Sequence, residues 1–281
     1  MAGHVWKELF AIALLLLGPA SARAAEMVYP LGVTADEEGT VYVADRFLPG
    51  IWRIQNGQAE IYFQADKKFR TPLNAVWSVA IDKDGRLLAG DSATRQVYRF
   101  GEDGKPVPLL PGVGIGIPID VDVNKAGEII VSDQETLRVW KVPAEGGEPE
   151  ELAVVPALRR LFIDADDQIW AVTGGQEPLV RVKADGTIEP VVKEPEFEFP
   201  HDVVVLDGTA YVSDNYAHAI WKVSPDGTVE KWISGEPLIG PVGLSHRGGK
   251  LLIADPKART IWEADADGKL TPLVPPMPEK K

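Results

Sequence analysis

The 281-residue chain contains no cysteine, which excludes disulfide bonds, thiol catalysis, cysteine zinc sites and a lipid-modified cysteine. Histidine is also scarce, with four in the whole chain, so a zinc site of several histidines would use nearly all of them. Basic residues are outnumbered, with 29 Lys and Arg against 42 Asp and Glu, and the formal net charge is −13. This acidity disfavours nucleic acid and anionic lipid as partners, because both repel the protein at long range.

The chain has a single long hydrophobic run, over residues 9–18. Lys7 precedes the run and small residues follow it as far as Ala24, a pattern typical of a secretory signal with an A-x-A cleavage site. The run is about half of the roughly 20 residues that cross a bilayer, so we predict a signal peptide over residues 1–24 and no membrane span. An uncleaved N-terminal anchor is the alternative. We expect a periplasmic or secreted monomer with one domain over residues 25–281.

Two sequence patterns recur in phase, about every 40 residues. The first is an alternating apolar run that ends on a small residue and Asp, as in Val41-Tyr-Val-Ala-Asp45, and the second resembles Ile51-Trp52-Arg53-Ile54. Asp-Gly pairs at matching offsets predict tight turns. Six units of four short β-rich runs predict an all-β, six-bladed β-propeller with four-stranded antiparallel blades. The first pattern ends at Asp45, Asp91, Asp133, Thr173, Asp214 and Asp255.

The repeated Asp residues and aromatic residues both have a structural interpretation. We predict that each Asp accepts hydrogen bonds from the backbone of the following loop, as Asp does in turns. A shared metal site is excluded for most of them, because the symmetry of the ring spreads them apart. The aromatic residues are predicted to supply buried area between blades. They are Trp52, Tyr98, Trp140, Trp221 and Trp262.

The units resemble the NHL repeat, which combines Pro-x-Gly, an apolar strand, a turn glycine, a strand ending in Val-Ala-Asp and a third strand with Ile. The matching residues are Pro30-Leu31-Gly32-Val33, Gly39, Val43-Ala44-Asp45 and Ile51, and the resemblance covers nearly all of residues 28–274. More distantly, the chain is similar to the gluconolactonase and senescence-marker family and to virginiamycin B lyase propellers. These resemblances imply a six-bladed fold and say little about a reaction.

The first residue of each inner strand is expected to line the central channel. The loop entering the inner strand and the loop between the second and third strands lie at one end of a blade, which we name the top face. The two remaining turns form the lower face. A ligand is expected at the top mouth of the channel. Aligned by the Asp pattern, the residues of the ring are Gly32, Ser78, Asp120, Arg160, Asp202 and Gly243.

Blades 3 to 5 place Asp120, Arg160 and Asp202 side by side in this ring. One interpretation is a structural ion-pair cluster in which the arginine neutralises two carboxylates. The other is a site where Arg160 holds an anionic or carbonyl oxygen and an Asp acts as base or cation ligand. Blade 4 also departs from the repeat, with Leu158-Arg159-Arg160 at its entry and Thr173 in place of Asp. This departure has two alternative interpretations, a local change for function and sequence drift in a single blade.

Blade 5 contributes the candidate acid and base residues. His201, next to Asp202, can form an acid/base group with His218 and Asn215, because a histidine beside a carboxylate is a common arrangement. Under the enzyme hypothesis Asp202, His201 and Arg160 are catalytic. The predicted ligand-binding residues are Asp120, Ser78, Trp77, Arg159, Asn215 and His218.

The family resemblance implies a metal site that this chain largely lacks. Lactonase propellers hold a divalent cation with a Glu of the first inner strand, Asn residues of middle blades and an Asp of a later inner strand. Asp202 matches the last, but Gly32 and Arg160 stand at the first-blade and fourth-blade positions. NHL-type amidating lyases hold zinc with several histidines, which are too few here. We therefore predict no cofactor and no metal residues, with a divalent cation such as calcium as the alternative.

The sequence thus predicts a binding or scaffold module that recognises a small polar ligand, a glycan, a peptide or a protein at the top face of the channel. The alternative is a gluconolactonase-like hydrolase or lyase that uses the Asp, His and Arg group at the channel mouth. Quinone-dependent sugar oxidation is a weaker hypothesis, because no cofactor motif is present. The basic loop over residues 64–74 is interpreted as a solvated loop, with a partner or substrate gate as the alternative.

Overall fold

The computed structural model describes residues 26–66, 68, 70–112 and 115–274. Within these residues 24 strands form six four-stranded antiparallel sheets, and none of the described segments is helical. The predicted six-bladed propeller is therefore confirmed. The predicted signal peptide, residues 1–24, lies outside the described residues. No helix in the part of the chain that the structure describes is long and apolar enough to cross a membrane.

Each blade consists of four consecutive strands that pair in chain order. Blade 1 comprises β1 (Pro30–Ala35), β2 (Val41–Asp45), β3 (Gly50–Gln55) and β4 (Gln58–Gln64). Blade 2 comprises β5 (Val76–Ile81), β6 (Leu87–Asp91), β7 (Gln96–Phe100) and β8 (Pro106–Pro108). Blade 3 comprises β9 (Pro118–Val123), β10 (Ile129–Asp133), β11 (Arg138–Val142) and β12 (Glu150–Val154).

The second half of the ring repeats this arrangement. Blade 4 comprises β13 (Leu158–Ile163), β14 (Ile169–Thr173), β15 (Leu179–Val182) and β16 (Ile188–Val192). Blade 5 comprises β17 (Pro200–Leu206), β18 (Thr209–Asp214), β19 (Ala219–Val223) and β20 (Val229–Ser234). Blade 6 comprises β21 (Gly243–Arg247), β22 (Lys250–Asp255), β23 (Thr260–Ala264) and β24 (Leu270–Pro272). The first strands of successive blades contact one another around the channel, and β21 contacts β1.

The hydrophobic core is divided among the interfaces between blades, with one buried cluster at each of the six interfaces. The cluster that closes the ring packs Leu252 and Ile261 of blade 6 against Val43 and Trp52 of blade 1. Burial of apolar area at about 25 cal/mol per Å² stabilises each interface. Each blade keeps its own fourth strand, so packing rather than strand exchange closes the ring.

The repeated Asp residues hold the top-face loops, as predicted. Oδ1 of Asp45 accepts hydrogen bonds from the backbone N–H of Phe47 (3.0 Å) and Leu48 (3.1 Å) in the following loop. The same carboxylate also accepts from the Tyr29 N–H and from the Trp52 indole Nε1–H, both at 3.0 Å. One buried carboxylate thus fixes two loops and a core tryptophan, which explains why the two sequence patterns keep the same phase. Asp133 and Asp214 bind their own tryptophans, Trp140 and Trp221, in the same way.

The glycines of the inner ring allow inner strands to approach closely. A Cβ atom on Gly243 would lie 2.2 Å from the carbonyl oxygen of Leu31, and one on Gly32 would lie 2.8 Å from that of Trp77. Real Cβ atoms do not tolerate such contacts, so only glycine fits where blade 1 meets its two neighbours. These two positions of the predicted ring therefore serve packing.

Candidate functional site

Arg160 lies across the central channel and contacts three other blades. Its Nη1 lies 3.4 Å from Oδ1 of Asp120 and 3.7 Å from Oδ2 of Asp202, and its Nη2 donates to the carbonyl oxygen of Trp77 at 2.9 Å. The arginine is 1% exposed, and both Asp side chains are buried. The structure thus brings together the three residues that the ring alignment placed side by side. We name Arg160, Asp120 and Asp202 the central cluster.

The two carboxylates of the central cluster also join neighbouring blades. Oδ2 of Asp120 accepts the backbone N–H of Leu161 in blade 4 at 3.2 Å. Oδ2 of Asp202 accepts the N–H of Leu244 in blade 6 at 2.8 Å. Oδ1 of Asp202 accepts the N–H of the next residue, Val203, also at 2.8 Å. These bonds satisfy inner-strand N–H groups that no sheet partner can reach. They support the structural interpretation of the central cluster.

Burial dominates the electrostatics of the central cluster. Burial raises the pKa of Asp120 above its usual range, although the Arg160 guanidinium partly opposes that effect. The pKa of Asp202 is also raised well above its usual range, first by burial and then by repulsion from Asp120. One arginine therefore compensates two carboxyl groups incompletely, and the pair readily retains a proton.

His201 does not form the predicted acid/base pair with Asp202. Its Nδ1 is buried and has no hydrogen-bond partner among the described residues, and the imidazole packs 6.4 Å from the ring of Phe199. Burial, together with the charges of Arg160 and Arg159, lowers the pKa of His201 to about 3. The side chain is therefore a neutral imidazole at physiological pH, with little basicity.

The other predicted ligand residues of blade 2 and blade 4 make local contacts. The indole Nε1 of Trp77 donates to Oγ of Ser92 at 2.9 Å. The neighbouring Ser78 is buried, and its Oγ has no partner among the described residues. Arg159 stacks over Phe199, with its Cζ 3.7 Å from the ring centroid. Arg159 therefore lies at the top face and supports an aromatic ring there.

The predicted residues of the blade 5 loop make hydrogen bonds with neighbouring loops. The backbone N–H of Asn215 donates to the carbonyl oxygen of Phe199 at 3.1 Å. Nδ1 of His218 is hydrogen-bonded to the carbonyl oxygen of Ile239, which lies in the loop that enters blade 6. His218 thus links two loops, and the predicted group of His201, His218, Asp202 and Asn215 is not assembled.

A cavity of about 180 Å³ lies in the channel among the six inner strands. The central cluster lines its inner end. The rest of its wall comes from residues near the C-terminal ends of the inner strands, so the cavity extends towards the lower face. The sequence predicts a ligand at the opposite end of the channel, the top mouth. The difference arises because the Arg160 side chain crosses the channel to reach Trp77. We name this space the lower cavity; residues of its outer half include Thr34, Ile81, Asp122, Phe162, Ser245 and His246.

Sequence reasoning missed three residues of the lower cavity. Asp122 lies two residues after Asp120 on β9, Phe162 two after Arg160 on β13, and His246 near the end of β21. For Asp122 and Phe162, the available signal was their spacing of two residues from Asp120 and Arg160, because alternate residues of a strand share a side. Burial raises the pKa of Asp122 to about 7. Burial also lowers the pKa of His246.

Exposed apolar side chains are concentrated on the top-face loops of blades 5, 6 and 1. Phe47 is 60% exposed and packs on Tyr29, while Tyr216 is 59% exposed and stacks on Phe199 with ring centroids 4.6 Å apart. Ile239, in the loop entering blade 6, lies between these blades in the ring order. We name the exposed residues the apolar row; they are Val28, Phe47, Tyr216 and Ile239.

Cations accompany the apolar row, although the protein as a whole is acidic. The guanidinium of Arg46 lies 4.3 Å from the centroid of the Trp77 ring, and Arg159 stacks on Phe199. The top-face loops of blades 6, 1 and 2 carry more basic than acidic residues in the sequence, the acidic ones being Glu26, Asp66 and Glu236, whereas the loop entering blade 5 is acidic, with Glu194, Glu196 and Glu198 against Lys193. Described basic residues of these loops are Arg46, Lys68, Arg70, Arg95, Lys257 and Arg259.

The acidic and histidine side chains do not converge on a metal position. Within the described residues there is no group of three or more His, Cys, Asp or Glu that could hold a metal ion. The Asp residues of the repeat already accept several backbone N–H groups each, as Asp45 does. Residues suited to a lactonase-type cation are therefore not brought together in this part of the chain.

No protein-family model and no curated protein matches the sequence. Solved structures match over most of the chain. A gluconolactonase from Xanthomonas campestris is similar with a TM-score of 0.71 and 15% identity, covering 85% of this chain and 86% of that chain. The virginiamycin B lyase of Staphylococcus aureus is similar with a TM-score of 0.69 and 17% identity, covering 91% and 86%.

A third similar structure comes from a nidogen/laminin complex, with a TM-score of 0.69 and 15% identity, covering 81% of this chain and 91% of that chain. The likeness is one of fold. It confirms the resemblance to gluconolactonase and virginiamycin B lyase propellers at that level. Identities this low carry no substrate or partner across, since one propeller fold serves many functions.

Proposed function

We propose that this protein is a non-catalytic binding module whose top face holds a peptide segment of a partner protein. The observation that carries the proposal is the apolar row, where two aromatic rings are more than half exposed on loops of blades 1 and 5, and Ile239 is exposed on the loop that enters blade 6 between them. Exposed apolar side chains that gather on one face of a domain mark an interaction site. Of the ligand types expected from the sequence, a peptide fits best.

The chemistry of the top face favours a peptide that carries both apolar and acidic side chains. Tyr216 and Phe47 are each backed by a second aromatic ring, which limits their movement and lowers the entropic cost of binding. Aromatic residues and arginine are the side chains that most often contribute strongly to binding. The surplus of basic residues on the top-face loops of blades 6, 1 and 2 attracts carboxylates to that side of the row, in contrast to the net charge of −13 of the whole chain.

The state of the central cluster supports a function without catalysis. Both oxygens of Asp202 accept backbone N–H groups, and the His201 imidazole is neutral, with its buried Nδ1 unpaired among the described residues. A general base needs a pKa near the working pH and access to the substrate. The hydrolase or lyase hypothesis that depends on Asp202, His201 and Arg160 therefore has less support, and the likeness to a lyase and a gluconolactonase is one of fold.

A phage-displayed peptide library, selected on the purified protein, tests the proposal. Selected peptides should be enriched in acidic and apolar residues, and added salt should weaken their binding. Tyr216→Ser and Phe47→Ser should each reduce affinity by about tenfold or more, as truncation of a central aromatic does. Val154→Ser is the matched control, because Val154 is 50% exposed on the outer strand β12.

Three results would contradict the proposal. The first is equal loss of affinity in Val154→Ser and Tyr216→Ser. The second is selection of basic peptides. The third is binding on a glycan array, dependent on Tyr216, with no enrichment of peptides; this would replace the peptide by a glycan as the ligand.

A further inference from the structure

The lower cavity contains more carboxyl groups than cations. Asp120, Asp122 and Asp202 line it, and Arg160 is the cation that faces them. Asp122 forms no ion pair with any described residue; its Oδ2 accepts the N–H of Ile163 at 2.7 Å, and its Oδ1 accepts the N–H of Val123 at 2.8 Å. A partly exposed carboxyl group without a cationic partner attracts a cation into the cavity.

One wall of the outer half is aromatic. The half-buried Phe162 ring lies 6.1 Å from the imidazole of His246, at an interplanar angle of 73°. An aromatic face attracts an ammonium group, and the attraction grows when the group is partly desolvated. A carboxyl group and an aromatic ring on adjoining strands thus suit an organic ammonium better than a metal ion, which needs several converging oxygens.

The inner end of the cavity offers a hydrogen-bond donor. Arg160 lines the cavity, is 1% exposed, and its Nε–H has no partner among the described residues. An unpaired buried donor is destabilising, so an acceptor atom of a ligand at this end would be stabilising. The acceptor must be uncharged, because the Asp120 and Asp202 carboxyl groups adjoin the same guanidinium.

We propose that the lower cavity binds a small ammonium compound that also carries a hydroxyl or ether oxygen. The ammonium group lies between Asp122 and Phe162, and the oxygen lies at the Arg160 end. Asp122 and Asp120 are two residues apart on β9, which corresponds to about 7 Å along a strand. A short amino alcohol spans this distance and fits a cavity of about 180 Å³.

Isothermal titration calorimetry with three probes tests both ends of the ligand. The probes are 4-aminobutan-1-ol, n-butylamine, which lacks the oxygen, and 1,4-butanediol, which lacks the charge. The amino alcohol should bind at one site per chain and about tenfold more tightly than either of the others, since each removes a hydrogen bond that involves a charged group. Calcium chloride serves as the metal probe and should not compete.

Variants locate the site. Asp122→Asn should remove the preference for the amino alcohol over the diol, and Phe162→Leu should weaken the ammonium probes while leaving the diol unchanged. Glu37→Gln is the matched control, because it removes one carboxylate from the exposed lower-face turn after β1 without lining the cavity. Tyr216→Ser, on the top face, should also leave the affinity unchanged.

The proposal is overturned if the diol binds as tightly as the amino alcohol, if Asp122→Asn retains the full preference, or if no ammonium probe binds at millimolar concentration. Displacement of the amino alcohol by calcium would replace the ammonium site by a metal site. Should Asp122→Asn fail to fold, the comparison of the three probes on the native protein and on Phe162→Leu decides the question. This inference is independent of the peptide site at the top face.

Discussion

Arg160 of blade 4 donates a hydrogen bond to the carbonyl oxygen of Trp77 in blade 2, at 2.9 Å, across the central channel. The same guanidinium adjoins Asp120 and Asp202, whose carboxylates bind the N–H groups of the next blades. One side chain therefore connects blades 2, 3, 4 and 5 at the level where the inner strands begin. The lower cavity owes its inner end to this arrangement.

Arg160→Met should destabilise the protein strongly, because it leaves two buried carboxyl groups without a cation. Removal of one partner from a buried ion pair costs about 3–5 kcal/mol, and we expect a loss of that size in urea unfolding at pH 7. The triple variant Asp120→Asn, Arg160→Met, Asp202→Asn should recover most of it, since the amides keep an acceptor for each backbone N–H. A single variant as stable as the native protein would show that the arginine has no structural role.

Gly243→Ala should destabilise the junction between blades 6 and 1. The added Cβ would lie 2.2 Å from the Leu31 carbonyl oxygen, so the inner strands must separate, at a cost of about 1–3 kcal/mol. Gly175→Ala is the matched control, because its Cβ would lie 3.5 Å from Oγ1 of Thr173, an ordinary contact. Thermal unfolding should show a lower Tm for Gly243→Ala alone; equal Tm values for the two variants would contradict the packing role.

The fold was predictable because its evidence is periodic. In blades 1, 3 and 5, the Asp at the end of the second strand accepts a direct hydrogen bond from the Trp of the third strand, as between Trp52 and Asp45. The ring alignment also predicted that Asp120, Arg160 and Asp202 adjoin, and each is the third residue of its inner strand. These inferences need only strand order and register, which the repeats supply.

The position of the cavity was not predictable in the same way. It depends on the path of one long side chain, since Arg160 extends to Trp77 across the channel. His246 lines the cavity on the side of the lower face, whereas the sequence predicts a ligand at the top mouth. Phe47 and Tyr216 belong to loops outside both periodic patterns, so the apolar row has no repeat to reveal it.

Asp122 should make the stability of the protein depend on pH. Its pKa is about 7 in the folded state, well above the value of 3.8 of an unperturbed Asp, so the folded state binds the extra proton between these two values. The stability contributed by the protonated group is complete below about pH 4 and is lost as the pH rises towards 7. After allowance for screening in the partly open cavity, we expect a loss of about 1–2 kcal/mol.

The effect of Asp122 is isolated by comparing how the free energy of unfolding changes with pH in the native protein and in the Asp122→Asn variant. The side chain at this position cannot ionise in the Asp122→Asn variant. The free energy of unfolding of the variant should therefore fall less than that of the native protein between pH 4 and pH 7. The other groups that face the cavity, Asp120, Asp202, Arg160 and His246, are the same in both proteins. Urea unfolding at several pH values measures the two slopes, and parallel curves would contradict a raised pKa for Asp122.

His201 should remain neutral throughout the physiological range. Its pKa is about 3, chiefly because of burial, so the C–H proton resonances of this imidazole should not shift between pH 5 and pH 8. His201→Gln assigns the resonance by its disappearance, and the urea-unfolded protein is the control, where the same histidine should titrate near 6.5.

The native protein and Asp202→Asn should both fail to hydrolyse gluconolactone. A His201 midpoint near 6.5 in the folded protein, together with lactone turnover that Asp202→Asn abolishes, would instead support an acid/base site at the channel and a hydrolytic function.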